Sequence, residues 1–346
     1  MLVEEQRPCF ILCGEMEPVK APAPRSDTQA TAPTTQISLS RVGVSGVEKV
    51  IRVSLNGKES TYHALLECVV DLNPRQKGVH MSRFEEIVNE AIDSVVLGEA
   101  LRAEELAAHI AEQVRERQDG LRAEVTIDAR YPETVPAPAS GIDTQEIYTL
   151  LGTAVASEGG TRTVAGVEAQ GMTACPCAQG MVEEAARERL ATKGFSADQI
   201  DEVVESVPIA THNQRGEGRL LVGLPEGSGI EIDARELLRI VEGSMSSEIY
   251  ELMKRADELA VVERAHANPM FVEDCVREMV RQLLERKPDL PGDAFVSARQ
   301  ENFETIHRHN VVAERHGTVA EIKAELDEGD QVRAHTDMRT WLDSAG

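Results

Sequence analysis

Two thiols separated by one proline, in Thr173-Ala-Cys-Pro-Cys-Ala-Gln179, are the residues of this chain best suited to chemistry. Cysteines this close do not easily form a disulfide, and Pro176 fixes its own φ while pushing Cys175 toward an extended conformation. One thiol is thereby held rigidly outward, as a metal ligand or a reactive group; the alternative is a pair of small buried hydrophobes. His212 lies in a polar run, Ala210-Thr-His-Asn-Gln-Arg-Gly216, and reads either as a structural histidine or as a site residue at a strand end. In Asn302-Phe-Glu-Thr-Ile-His-Arg-His309, a strand would put His307 and His309 on one face and Glu304 on the other. Such a histidine pair suits metal binding or proton transfer, against the alternative of two solvated imidazoles. Cys, His and carboxylate together are the ligand chemistry of a catalytic divalent metal with one open position. No Gly-x-x-x-x-Gly-Lys-Ser/Thr loop is present, which argues against a P-loop nucleotidase.

The elements that must position these residues follow from periodicity. Residues 37–55 and 61–72 alternate and are β-rich, with Asn56-Gly57 supplying the turn of a hairpin. Ser82 and Glu85 form a capping-box pattern ahead of Phe84, Ile87, Val88, Ala91, Ile92 and Val95 at helical spacing, and a second helix is expected over 103–118. Strands follow at 121–131 and, after a Pro-rich loop and a Gly159-Gly160 turn, at 161–173. The first half thus reads ββααββ, one antiparallel sheet with two helices on one face. The second half reads as a degenerate copy. It has helices at 181–192 and 196–204, strands at 207–212 and 219–223, helices at 233–241, 246–254 and 269–286, strands at 294–303 and 309–315, and a solvated helix at 319–326. The expected class is α+β with tandem modules: a disordered tail at 1–36, modules at 37–173 and 174–318, and a C-terminal tail at 319–346.

Composition describes where the protein works. Sixty acidic residues against 36 basic ones give a net charge of −24, and only eight of the basic residues are lysines. That sign repels nucleic acid and anionic membranes, so neither is an expected partner. A hydrophobic share of 41% argues against disorder, and the acidic, lysine-poor surface suits high salt, where self-repulsion is screened. No apolar run reaches membrane-spanning length. Glu4 and Glu5 precede the apolar Cys9-Phe-Ile-Leu12 and no cleavage site follows, so no secretory signal is expected. Six irregularly spaced cysteines fit a reducing cytoplasm.

Six segments occur in a specific order: Gly78-Val-His-Met-Ser-Arg-Phe84, Thr173-Ala-Cys-Pro-Cys177, Ala210-Thr-His-Asn-Gln-Arg215, Leu252-Met-Lys-Arg-Ala-Asp-Glu258, Asn268-Pro-Met-Phe-Val-Glu-Asp274 and Asn302-Phe-Glu-Thr-Ile-His307. In this set the chain resembles the type IB GTP cyclohydrolases, most closely their archaeal MptA branch. The resemblance runs from about residue 78 to 310. It implies a tunnelling fold, whose ββααββ modules assemble into a barrel by homo-oligomerisation, as dimer or tetramer, with active sites at subunit interfaces. It further implies a divalent metal held by Cys175, His212 and Glu258, with Fe(II) preferred and Mn(II) or Zn(II) compatible. Glu273 would take the guanine edge as a hydrogen-bond acceptor. Glu304, His307 and His309 would complete the catalytic set with Cys175, the histidines moving protons and Glu304 orienting them.

The chemistry implied is hydrolysis of GTP at C8 with release of formate, then rearrangement to a dihydropterin. In the archaeal branch pyrophosphate is also lost, giving 7,8-dihydroneopterin 2′,3′-cyclic phosphate for methanopterin- or folate-type cofactors; the alternative product is dihydroneopterin triphosphate. Arg83, Arg215 and Lys254 are candidate triphosphate contacts, their alternative being surface ion pairs. Two departures from the family pattern stand out: a charged helical insertion between Cys177 and His212, and Ala256 in place of a proline before Asp257-Glu258. A deazaguanine nitrile reductase of the same fold would need neither the His-Asn-Gln-Arg run nor the paired histidines. A non-catalytic pterin-binding barrel would lack the metal ligands.

Overall fold

The computed structural model describes residues 28–55, 58–94, 102–329 and 335–344. Of the disordered tail expected at 1–36, residues 1–27 lie outside these residues, as does the Asn56-Gly57 turn; the part from 28 on is described, and the Lys77 N–H donates to the Gln29 and Thr31 carbonyls at 3.1 and 2.9 Å, so it is held against the body rather than loose. The chain order is β1 (Leu39–Leu55), β2 (Lys58–Leu72), α1 (Met81–Ser94), α2 (Ala103–Gln118), β3 (Arg122–Pro136) and β4 (Asp143–Ser157). Then come β5 (Gly160–Ala174), α3 (Pro176–Thr192), α4 (Ala197–Ser206), β6 (Asn213–Leu224), α5 (Ala234–Gly243), β7 (Ser247–Glu248) and α6 (Arg255–Ala267). The chain closes with α7 (Val272–Arg286), β8 (Phe295–Asn302), β9 (Val311–Thr318), α8 (Val319–Glu328) and α9 (Met338–Asp343).

Among the described residues, eight strands form one antiparallel sheet in the order β1-β2-β3-β4-β5-β6-β8-β9, and β7 adds a short pairing to β5. The sheet is open, with β1 and β9 as its edges. Its alternation is the one a half-buried strand requires. Leu66, Cys68 and Val70 of β2, Val125 and Ile127 of β3 and Leu150 of β4 face the helices, while the intervening positions face away. Phe84, Ile87 and Val88 of α1 and Leu106, Ile110 and Val114 of α2 cover that half, and α5 and α7 cover the other through Leu237, Ile240, Val241, Cys275, Met279 and Leu283. A single continuous core runs beneath both halves. Gly152 allows α2 to lie directly on β4, since a Cβ there would stand 2.3 Å from the carbonyl carbon of Ala103.

The duplication is present, with its junction moved. β4 was not expected: it runs through small residues, Gly152, Ala154 and Ala156, which pack under α2 and blur the alternation. With β4 in place the first ββααββ unit ends at Ser157, and β5, the strand expected to close the first module at 173, opens the second. The second unit is β5, β6, α5, α7, β8 and β9, with α3–α4 inserted after its first strand and β7–α6 between its helices.

Several local expectations are corrected. α1 starts at Met81, ahead of the expected cap Ser82, and the Glu85 carboxylate accepts instead from Lys49 Nζ at 2.9 Å. Residues 207–212 are an irregular approach to β6, which is one long strand rather than 219–223 alone. Residues 246–254 form β7 and a loop where a helix was expected. The unexpected α6 buries only Asp257, Val261 and Ala265, a stripe too narrow to register as amphipathic. Where described, the segment expected as a tail at 319–346 is docked: Val319 and Ile322 of α8 are buried, and α9 sets Trp341 and Leu342 against Val155, Val164 and Phe295 on the face away from the other helices. No helix among the described residues is long and apolar enough to cross a membrane.

Candidate active site

The ends of β5, β6 and β8 build the site. β5 and β6 pair in register up to Ala174↔Asn213, so the next residue on one strand and the preceding residue on the other must be neighbours. These are Cys175 and His212. The Cys175 N–H donates to the His212 carbonyl at 3.2 Å, and the Thr211 hydroxyl donates to the Cys175 carbonyl at 2.8 Å.

Pro176 starts α3, where its missing N–H costs nothing, and holds Cys175 extended at φ −77°, ψ 116°. The sulfur of Cys175 caps α3, accepting from the Ala178 N–H at 3.5 Å, and faces the electropositive helix end. Cys177 lies exposed on the first turn, so the two thiols are unequal in position; both are free, as are Cys68 and Cys275. Burial pushes the thiols of Cys68 and Cys275 up to about 12, which leaves them as inert core residues. Gln179 ties the inserted hairpin down by donating to the Ile209 and His266 carbonyls at 3.1 and 2.7 Å.

Beyond β8, the Phe303 N–H donates to the Arg215 carbonyl at 2.9 Å and the Thr305 hydroxyl to the Asn213 carbonyl at 3.1 Å. The loop is thereby turned inward between them. Glu304 enters the site with its side chain 7% exposed and Oε2 3.8 Å from His212 Nδ1. Among the described residues this buried oxygen has no hydrogen-bond partner. The carboxylate expected to orient His307 and His309 therefore lies beside His212. Those two histidines sit exposed in the β8–β9 connection rather than on a strand, with their rings stacked at 5.1 Å and 15°.

The remaining candidates stand apart. Glu258 is exposed on the first turn of α6. Its neighbour Asp257 is fully buried, accepting from Ser140 N–H and hydroxyl, both at 2.7 Å, and from the N–H groups of Ala139 and Lys254, both at 2.8 Å. The Ser140 N–H first, with these other donors, holds the Asp257 carboxyl far below the usual range, so it fastens the β3–β4 loop to α6. Lys254 and Arg215 are exposed, and Arg83 donates to the Arg117 carbonyl at 3.1 Å. Glu273, exposed on the first turn of α7, lines a cavity of about 350 Å³ with Arg277, Arg281, Arg315 and Ile322. Among the described residues no three His, Cys, Asp or Glu side chains gather closely enough to hold a metal.

Sequence reasoning did not single out Gln214, which is 5% exposed with its Oε1 3.0 Å from His212 Nδ1. Its place two residues after His212, at the start of β6, was the available signal.

The description "Type I GTP cyclohydrolase folE2" matches residues 26–313. GTP cyclohydrolase MptA of Methanococcus aeolicus is 41% identical over 307 residues, covering 87% of this chain and 99% of that one. The MptA proteins of Methanocaldococcus jannaschii and Methanothermobacter thermautotrophicus are each 39% identical over 308 residues, covering 87% of this chain and 98% and 96% of theirs. With its Cys-Pro-Cys and His-Asn-Gln-Arg segments meeting at one pair of strand ends, the chain belongs to the Type I GTP cyclohydrolase family, in its archaeal MptA branch, and is an enzyme of that class.

Proposed function

We propose that this enzyme opens the imidazole ring of GTP at C8, releases formate, and yields 7,8-dihydroneopterin 2′,3′-cyclic phosphate with loss of pyrophosphate. The observation that carries the site assignment is the backbone bond joining Cys175 to His212 at the paired ends of β5 and β6, with the unpartnered Glu304 oxygen 3.8 Å from His212 Nδ1.

The donor set fits a divalent metal in part: a cysteine sulfur at a helix N-terminus and a histidine held from its Nδ1 side are two ligands suited to Fe(II), Mn(II) or Zn(II). Such an ion supplies Lewis-acid activation of water for attack on C8. Cys175 and His212 would hold it. Glu304, beside His212, provides a buried carboxylate that could take a proton from the reacting centre. Glu258, Glu273, His307 and His309 are exposed in a single chain, and we assign them to a site completed between copies. The free edges β1 and β9 offer the surfaces through which a dimer or tetramer would close the sheet into a barrel. There Glu273 would read the guanine edge, His307 and His309 would exchange protons, and Arg83, Arg215 and Lys254 would meet the triphosphate. The composition suits a cytoplasmic enzyme in a salt-rich interior.

The test is anaerobic reconstitution of metal-stripped protein with Fe(II), Mn(II) or Zn(II), following GTP conversion by pterin fluorescence and the products by mass. The cyclic phosphate with stoichiometric formate is expected; the triphosphate would place the chain with the alternative product. Cys175→Ser should lose bound metal and turnover, whereas Cys177→Ser should retain both. Absence of turnover with every metal would refute the reading.

A further inference from the structure

We propose that Gln214 is a positioning residue that holds the neutral His212 ring as its Nδ1–H tautomer, leaving the Nε2 lone pair free. The inference rests on reading His212 as a metal ligand, but its decisive measurement is independent of metal. Thr173 and Gln214 are cross-strand partners on β5 and β6, and both are buried. The Gln214 side-chain amide spans the Thr173 hydroxyl and the His212 ring: Nε2 donates to Thr173 Oγ1 at 3.0 Å, and Oε1 lies 3.0 Å from His212 Nδ1.

An amide oxygen only accepts, so Nδ1 must carry the proton and Nε2 the lone pair. A reversed amide would present N–H to Nδ1 and move the ring proton to Nε2, closing the ligand position. Glu304 decides against that reversal. Its Oε2 lies 3.8 Å from the same Nδ1, too far for a hydrogen bond yet close enough to put a second acceptor on that side of the ring. Two acceptors flank Nδ1, and a proton there satisfies both electrostatically. The backbone adds rigidity, because the His212 carbonyl is held by the Cys175 N–H at 3.2 Å. The ring is thus fixed through its own main chain on one side and through Gln214 on the other, the outer-sphere arrangement that tunes histidine ligands.

The experiment is nitrogen NMR of the metal-free, full-length protein with ¹⁵N-labelled histidine, at a pH where the imidazoles are neutral, His212 being identified by its loss in His212→Asn. Expected is a protonated, pyrrole-type Nδ1 and a pyridine-type Nε2. Gln214→Leu should shift His212 toward the Nε2–H form and weaken Mn(II) binding by about 10- to 100-fold. Thr173→Val, which frees the other end of the amide, should move the tautomer ratio in the same direction by less. Gln214→Glu keeps an acceptor at Nδ1 and should restore the wild-type signature. An Nε2–H ring in the wild-type protein, or a tautomer unchanged in both Gln214→Leu and Thr173→Val, overturns the proposal. If the spectra behave as expected but Mn(II) affinity is the same in wild type and Gln214→Leu, the tautomer assignment stands and the metal-ligand role of His212 is what fails.

Discussion

Replacing Trp341, the one tryptophan of the chain, tests whether the C-terminal segment is part of the folded body. Trp341 is 2% exposed and packs on Phe295 with ring centroids 5.8 Å apart. Its Nε1–H donates to the Asp293 carbonyl at 2.7 Å, and the Arg162 guanidinium lies 4.7 Å from the ring centroid. β6 makes room for the indole by having Gly223, where a Cβ would stand 2.7 Å from the ring. Trp341→Ala removes a large buried side chain, for which about 3–5 kcal/mol is typical. Within that figure the hydrogen bond accounts for roughly 1 kcal/mol and the cation–π contact for about 0.5–1 kcal/mol. Local detachment of α9 does not escape the loss, because it takes Trp341 and Leu342 out of the buried cluster they form with Val155, Val164 and Phe295. Against a total stability of about 5–15 kcal/mol, such a loss is easily measured by urea unfolding followed by circular dichroism. In the wild type the single indole reports docking directly: its emission should be that of a buried ring and should shift with the circular-dichroism transition. Solvated-indole emission in native buffer, or a loss below about 1 kcal/mol in Trp341→Ala, would refute the docking argument.

Three further outcomes follow from the packing. Burial first, and then nearby carboxylates, push Glu242 up to about 7 even though Tyr148 donates to it at 2.8 Å. The folded state therefore binds the extra proton, and the associated stability is present below the unfolded value near 4.5 and lost as pH rises through 7. Glu242→Gln should flatten that decline in a pH series of urea midpoints, and an unchanged slope would assign it elsewhere. Gly152→Ala drives a methyl into the backbone of α2 and should cost at least about 1–3 kcal/mol in the same urea assay; a neutral result would show that α2 can lift from β4. Replacing residues 180–208 by a short Gly/Ser turn should change stability by no more than about 1–2 kcal/mol, since α3 buries no side chain, α4 buries only Ile200, and shortening a loop recovers only a little closure entropy. A collapse in melting temperature would show that the hairpin supports the sheet.

The motifs were legible in the sequence because their chemistry depends on residue type, and much of their placement followed from short-range rules. Pro176 signals the end of β5, yet periodicity places the following helix at 181–192, whereas α3 already starts at Pro176 with Cys175 as its cap. The turn after β4 and the long alternation of β2, β3 and β5 were similarly open to reading. What stayed hidden depends on partners far along the chain. β4 hides because its small residues make sense only under α2, and α6 hides because it is held by Asp257 capping a distant loop rather than by an apolar face. α9 is six residues long and gains its order from Gly223 and Phe295, which no local window contains.

The distribution of the candidate residues has a consequence for how the active site works. Cys175 and His212 are fixed by the last rung of the β5–β6 ladder, so their separation is independent of whatever is inserted between them. That explains how a charged helical hairpin can occupy the interval without disturbing the site. Glu304 joins them through the β8 ladder, since Phe303 extends the pairing to Arg215 before the chain turns in. These three belong to the sheet and inherit its rigidity. Glu258, Glu273, His307 and His309 lie on helix starts and an outer loop, exposed to whatever approaches. On the reading proposed above, the rigid half would hold the ion and the exposed half would meet the substrate. Substitutions in the first group should impair metal retention in a single chain, and those in the second should impair turnover only where copies meet.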